Sequence, residues 1–382
     1  MVKVTKLAAL ILLSGSAASL ATGETSVKGD IVIGRTCDMS GPMSDFSRRT
    51  HAGMRACFDQ INQQGGINGH RIVLRLRNDH GQPENAARQA QQLIDDFNSV
   101  MIVGAVGADT AADVAQVCRQ KNIAFVSPFS GSPAFSDREE EAIFALLPDY
   151  SAEAEKIINS AGIGNTQDLA CFVEKSAEGE EMLRAMHSAL REHGMSLAGS
   201  ASVDKSDPDI SSAVKRLSHA HPDVIVINTS ASTAAAFIKE WQNRFGNETR
   251  FIASSNLPAD ILADSLGQSS SEVFVMQPFA EMWSDEKITA EFRDAMKAAG
   301  EDDLIGPASF EGFAAGKLIC QALRSCGNDF TSSTITGALK NGAAVNFGNT
   351  TLSFSSGGDM PELQIARLES FTGNAAVASV PE

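Results

Sequence analysis

A regular alternation of short apolar runs with amphipathic segments most narrows what this chain can become, and it is clearest between Val100 and Phe135. Val100-Met101-Ile102-Val103 is apolar throughout and ends at Gly104, the pattern of a strand covered on both faces. Asp109 or Thr110 then caps a helix whose apolar positions, Ala111, Val114, Ala115 and Cys118, recur at helical spacing. A second run, Ile123 to Val126, empties into the small, polar loop from Ser127 to Ser136. The unit reads β-α-β, so its strands run parallel and the loops that follow them open on one edge of the sheet. In open α/β sheets ligands settle in crevices at that edge, where free backbone N–H groups and helix N-termini hold an anion. Gly104, Gly107 and Gly131 fit both a plain turn of the chain and a close approach of backbone to ligand, and the loop by itself does not choose.

The first residues, MVKVTKLAALILLSGSAASLATG, place Lys3 and Lys6 before an apolar stretch, Leu7 to Leu13, and then small residues with a cleavage site after Ala21. That is the pattern of a secretory signal peptide over residues 1–21, and it predicts a mature chain released into a periplasm. No cysteine precedes Cys37, so no lipid-attachment site stands at the cleavage point. No later run is long and apolar enough to span a bilayer, and no membrane insertion is expected. The mature length exceeds what one core usually holds, which predicts two domains. The formal net charge of −16 argues against nucleic acid as a partner and leaves the ligand open. Six cysteines are too few for a disulfide-built scaffold in a chain this long. Cys320 and Cys326 are the best candidate pair, on the condition that their helix ends near Leu323. On one continuous helix their Cα atoms would stand about 9 Å apart, beyond the reach of a bridge.

Taken in order, the first strand is Asp30 to Gly34, followed by the loop RTCDMSGPMSDFS. A helix from about Arg48 carries Met54, Cys57, Phe58 and Ile61 on one face, Gly65-Gly66 stop it, and strand Arg71 to Leu76 follows. Asp79 sits just past that strand, and Glu84 to Phe97 is a second amphipathic helix. The run DMSGPMSDFS, the segment QINQQGGINGHRIVL, Asp79, the 100–135 unit and PDYSAEAEKI (148–158), in this order, resemble the leucine/isoleucine/valine-binding protein family. Members are type I periplasmic substrate-binding proteins of ABC importers. The fold is shared with amide-sensing regulators and receptor domains, so the resemblance speaks to architecture more than to role.

The resemblance implies an α/β fold of two Rossmann-like lobes joined by a three-segment hinge. After Tyr150 the alternation restarts, repeating the organisation of the first half and not its sequence. Residues 28–147 with 280–350 are expected in lobe 1, and 148–279 with 351–378 in lobe 2. The crossings are placed near 146–150, 277–280 and 348–353.

Motifs for catalysis are missing: there is no G-x-S-x-G, no G-x-x-x-x-G-K-[ST] and no G-x-G-x-x-G. His219 and His221 read as a solvated turn, and the paired carboxylates at Asp207/Asp209, Glu139–Glu141 and Glu301–Asp303 read as surface. No enzyme, cofactor or metal site is expected. The loops aimed at the crevice supply the candidates instead: Ser40 and Phe46 from 39–46, Asp109 from 107–110, Ser132 from 129–132 and Ser230 from 228–232. By the family pattern, the ligand carboxylate falls to Ala108 and Thr110 and to Phe129, Ser130 and Gly131, largely through main chain. Tyr150, the single tyrosine of the chain, matches a segment whose tyrosine commonly lines the site. Two positions depart from the pattern. Glu178 replaces an aromatic, and Ser255 stands where the acid that pairs the ligand ammonium is expected. Either the ligand is not a simple apolar amino acid, or another acid such as Glu178 or Asp109 holds its cation. The implied role is hinge closure on a small amino acid or related carboxylate or amide for delivery to an ABC permease. The alternative is an exported ligand-sensing subunit of a signalling system.

Overall fold

The computed structural model describes residues 28–136, 142–160, 168–267, 272–279, 286–348, 350–355, 359–368 and 378–379. The expected signal peptide lies outside them.

The first half builds one sheet. Strands β1 (Lys28–Cys37), β2 (His70–Asn78), β3 (Met101–Val103), β4 (Ala124–Val126) and β5 (Ile143–Phe144) pair in the order β2-β1-β3-β4-β5, all parallel. Helices α1 (Ser44–Gln63), α2 (Pro83–Asp95) and α3 (Ala108–Lys121) connect them. Helix α4 (Tyr150–Asn159) then leads into a second set: β6 (Leu169–Glu174), α5 (Ala177–Glu192), β7 (Gly199–Val203), α6 (Ile210–Ser218), β8 (Val224–Asn228), α7 (Ala231–Phe245), β9 (Arg250–Ala253), α8 (Ala259–Leu266) and β10 (Val273–Gln277). Its parallel part has the order β7-β6-β8-β9-β10, the same path as the first sheet. Each sheet therefore reverses its winding direction beside its own first strand, between β1 and β3 and between β6 and β8. That is where an open α/β sheet leaves a crevice at the carboxyl ends of its strands.

The tail is shared. Helices α9 (Lys287–Ala298), α10 (Pro307–Ser325) and α11 (Ser332–Lys340), with the hairpin β11 (Ala344–Asn346) and β12 (Thr351–Ser353), return to the first lobe. Leu352 and Phe354 pack in that lobe's core, with the Phe354 ring 6.0 Å from that of Phe144. The third crossing consequently falls after Phe354, later than the 348–353 expected, because these two apolar side chains have their burial site on the first lobe. Strand β13 (Gln364–Arg367) then adds antiparallel to β10, and β14 (Ala378–Ser379) adds to β13.

Helices α1 and α10 hold the first lobe together at unusually short range. A Cβ placed on Gly53 would lie 1.8 Å from the Ser309 carbonyl oxygen, and one on Gly312 would lie 2.0 Å from that of Thr50. Glycine is required at both positions because backbone meets backbone there. Helix α10 runs to Ser325, past the end near Leu323 that a Cys320–Cys326 bridge would need, and all six cysteines are free and buried.

Candidate functional site

The carboxyl ends of the two sheets face each other across a cavity of about 190 Å³. Its first-lobe wall is Asp38 and Met43 beyond β1, Gly81 and Pro83 beyond β2, and Val106 to Thr110 beyond β3. Its second-lobe wall is Glu174 to Ser176 and Glu178 at the end of β6, Lys205 beyond β7, Asn228 to Ser230 at the end of β8, and Asn256. A narrower recess of about 10 Å³ continues toward Phe46, Phe129, Ser130, Gly131, Leu147 and Ser255.

Helix α3 begins earlier than the capping pattern suggested. Gly107, at φ 95°, is its N-cap, so Asp109 and Thr110 lie inside the first turn instead of before it. The sequence favoured Asp and Thr as caps, but the chain turns at a positive φ that only glycine adopts freely. No side chain caps this end, which leaves the N–H groups of Ala108 and Asp109 directed at the cavity. Thr110 is buried and its hydroxyl bonds the carbonyls of Val106 and Gly107, at 2.9 Å for the latter. Two further helix N-termini border the cavity, α5 after its N-cap Ser176 and α7 after its N-cap Ser230. Three partial positive charges converge on one space.

Arg35, which the sequence pattern did not single out, adds a whole charge behind this wall. It is fully buried on β1, with its guanidinium carbon 5.6 Å from the centre of the Phe129 ring. Nη2 donates to Thr50 Oγ1 at 2.6 Å, while Nε and Nη1 have no partner. No acid forms a salt bridge with it among the described residues; burial first, and then Arg35, holds the neighbouring His51 down to about 3. Phe129 itself packs edge-on against Phe46, ring centres 5.6 Å apart.

The loop from Ser130 to Ser132 meets the second lobe directly. Ser130 Oγ donates to Glu178 Oε1 at 3.1 Å, and Ser132 Oγ donates to Glu181 Oε1 at 2.9 Å. A further tie joins α1 to α8, where Arg49 stands 2.9 Å from Asp260 and 3.0 Å from Asp264. Burial raises Glu178 to about 7, against the Ser130 hydrogen bond and the Lys205 charge, which lower it. Glu178 lines both the cavity and the recess.

Tyr150 stands just behind the cavity wall. It is fully buried, its ring packs so closely on Gly131 that a Cβ there would lie 2.5 Å from Cε1, and it lines neither cavity. Its backbone N–H donates to the Gly131 carbonyl at 2.8 Å, and its phenolic hydroxyl, which makes no well-formed hydrogen bond among the described residues, lies beside Glu178 and Asn228 of the cavity wall. Ser255 does have an acid: Glu153 accepts its N–H at 3.2 Å and also its hydroxyl. Glu153 lies one helical turn after Tyr150, and burial, opposed by the Ser255 hydrogen bonds, raises it to about 7. The spacing between Tyr150 and Glu153 was the only signal in the sequence for this pair. Ser230 borders the cavity, with its N–H bonded to Glu174 Oε1 at 2.7 Å and its hydroxyl to Thr233 at 2.9 Å. Ser40 is exposed, bonds His80 at 2.8 Å and lies outside the cavity lining. Asn228 was anticipated only as part of its loop. It is 2% exposed and lines the cavity, and its Nδ2 donor makes no well-formed hydrogen bond among the described residues, although the Tyr150 side chain lies beside it. A buried amide with an unused donor is costly unless something else accepts from it.

The sequence profile described as periplasmic binding protein matches residues 30–360. The chain belongs to that family. As a member of its leucine/isoleucine/valine-binding branch it is a type I periplasmic binding protein, a solute-binding protein and not an enzyme. It is 24% identical over 361 residues to "Leu/Ile/Val-binding protein homolog 3" of Brucella melitensis, covering 92% of this chain and 94% of that one. A solved structure from Rhodopirellula baltica SH 1, titled a possible leucine/isoleucine/valine-binding protein, superposes with a TM-score of 0.86 at 19% identity, covering 94% of this chain and 98% of that chain. The R. palustris solute-binding protein in complex with benzoate matches at a TM-score of 0.77 and 16% identity, over 92% and 96% of the two chains. The two-lobe α/β architecture is thus that of the family. A leucine/isoleucine/valine-binding relative and a benzoate complex both align over nearly the whole chain.

Proposed function

We propose that this periplasmic binding protein captures a small amino acid, or a related carboxylate or amide, between its lobes and delivers it to an ABC permease. The cavity carries the reading, because its two walls are complementary to the two ends of such a molecule. On the first lobe the uncapped turn at Ala108 and Asp109, backed by the unpaired Arg35, suits a carboxylate. On the second lobe Glu178 suits an ammonium, and the unused Nδ2 of Asn228 suits a further acceptor on the ligand. The volume of about 190 Å³ lies below the range of roughly 300–1,000 Å³ typical of drug-sized ligands. Lys175, Lys205 and the acids around the cavity make it more polar than a branched aliphatic side chain requires.

Contacts made to both lobes stabilise the closed arrangement, which the permease then recognises. In this reading residues 1–21 direct export and are removed near Ala21, and N-terminal sequencing of the exported protein checks that cleavage. Mass spectrometry of small molecules released on denaturation identifies the ligand. Small-angle scattering with and without it then tests closure: the radius of gyration falls on saturation. Binding with an unchanged radius overturns the mechanism, and chemical conversion of the ligand overturns the transport role.

A further inference from the structure

Helices α1 and α10 bring two cysteines from opposite ends of the chain into one contact. Cys57 and Cys320 are both completely buried in the core of the first lobe. Burial first, and then the neighbouring Cys320, raises the Cys57 thiol well above its usual range. Gly316, one turn before Cys320, presses on the same residue: a Cβ there would lie 3.0 Å from Cys57 Cβ and 3.1 Å from its Sγ. Ordinary helix pairs stand about 8–10 Å apart, whereas a disulfide requires Cα atoms within roughly 4.4–6.8 Å. The backbone contacts at Gly53 and Gly312 draw these two helices closer than that ordinary separation.

We propose that Cys57 and Cys320 form a disulfide that staples α1 to α10 when the chain folds in an oxidising compartment. The other four cysteines have no such neighbour: Cys37 contacts the Met39 sulfur, Cys326 bonds the Ala322 carbonyl, and Cys118 and Cys171 lie in separate clusters. The oxidant is a disulfide donor, either a protein dithiol oxidase or oxidised glutathione. One cysteine thiolate attacks the donor's S–S bond, giving a mixed disulfide and one donor thiolate. The second cysteine thiolate displaces the second donor thiolate as the Cys57–Cys320 bond forms. Two protons leave the protein, and its two electrons reduce the donor. Both sulfurs are inaccessible once the helices meet, so the exchange occurs while the first lobe is still assembling.

The test is a thiol count that does not depend on the ligand. The reduced, unfolded full-length protein is refolded in a mixture of reduced and oxidised glutathione, alkylated in denaturant without reductant, and digested. The expected result is alkylation at every cysteine except Cys57 and Cys320, with their two peptides linked and separated by dithiothreitol. The oxidised form should melt about 5 °C above the reduced one. In Cys57→Ser and in Cys320→Ser the remaining partner should be alkylated. Alkylation of all six cysteines in refolded protein with a native circular dichroism spectrum overturns the proposal, as does a link between any other pair.

Discussion

Ser130 on the first lobe donates a hydrogen bond to Glu178 on the second, 3.1 Å across the cleft. The same carboxylate lines the cavity, so ligand and lobe contact draw on one group. Glu178→Gln is expected to lower affinity for a zwitterionic or cationic ligand by about tenfold to a hundredfold, because a hydrogen bond to a charged group contributes about 1.5–3 kcal/mol. Ser130→Ala should lower it less, since the backbone of the loop survives. Calorimetry on both variants checks the ranking, and full affinity in Glu178→Gln would remove this residue as the cation's partner.

Acidity should stabilise the protein. Burial raises Glu153 from 4.5 to about 7 and Glu178 likewise, and it pushes Glu311 well above the usual carboxylate range. An acid whose folded pKa lies above its unfolded value stabilises the fold below the unfolded value. That contribution is lost as pH rises through the folded one. The window here runs from 4.5 to about 7. Thermal melts at about pH 5.5 should therefore exceed those at about pH 8. Glu153→Gln should narrow the gap, since it retains an acceptor for Ser255 without the charge. Melts that rise with pH across this range would contradict the assignment.

Tyr150 and Gly131 form a tight joint at the first crossing. Tyr150→Phe removes a buried hydroxyl that makes no well-formed hydrogen bond but stands beside Glu178 and Asn228, so stability should change by no more than about 1 kcal/mol. Tyr150→Ala should cost about 3–5 kcal/mol through the cavity it leaves. Gly131→Ala places a methyl 2.5 Å from the ring and should cost about 1–3 kcal/mol. Combined with Tyr150→Leu, much of that cost should disappear. Denaturant titrations of the three single variants and the pair measure the coupling.

Gly53→Ala tests the seam between α1 and α10. The added Cβ meets the Ser309 carbonyl, a backbone atom that cannot rotate away, so the helices must separate. A loss of at least about 3 kcal/mol is expected, read as a lower denaturant midpoint with the slope preserved. A surface glycine such as Gly29, whose Cβ would meet nothing, serves as the neutral control.

The strands were legible because parallel strands buried on both faces are continuous apolar runs, as at Met101–Val103 and Val224–Asn228. The alternation also placed the correct loops at the sheet edges. Side-chain roles within those loops were less legible. Ser130, Ser132 and Ser255 each have an acid that lies far away in the chain, and local pattern carries no record of Glu178, Glu181 or Glu153 as partners. Arg35 reads as one polar residue in a strand, and only the packed structure reveals that two of its nitrogens lack partners among the described residues. The start of α3 was misplaced because capping residues were weighed above the positive φ at Gly107.

The glycine contacts between α1 and α10 also set an order of assembly. The entire second lobe lies between these helices in the chain, so the first lobe cannot complete its core until synthesis has nearly finished. From β6 to β10 the second sheet is contiguous and can close as soon as it emerges. Contacts that span so much sequence form slowly. The nascent protein therefore carries an unfinished first lobe for most of its synthesis, with the apolar face of α1 uncovered until the last helices arrive.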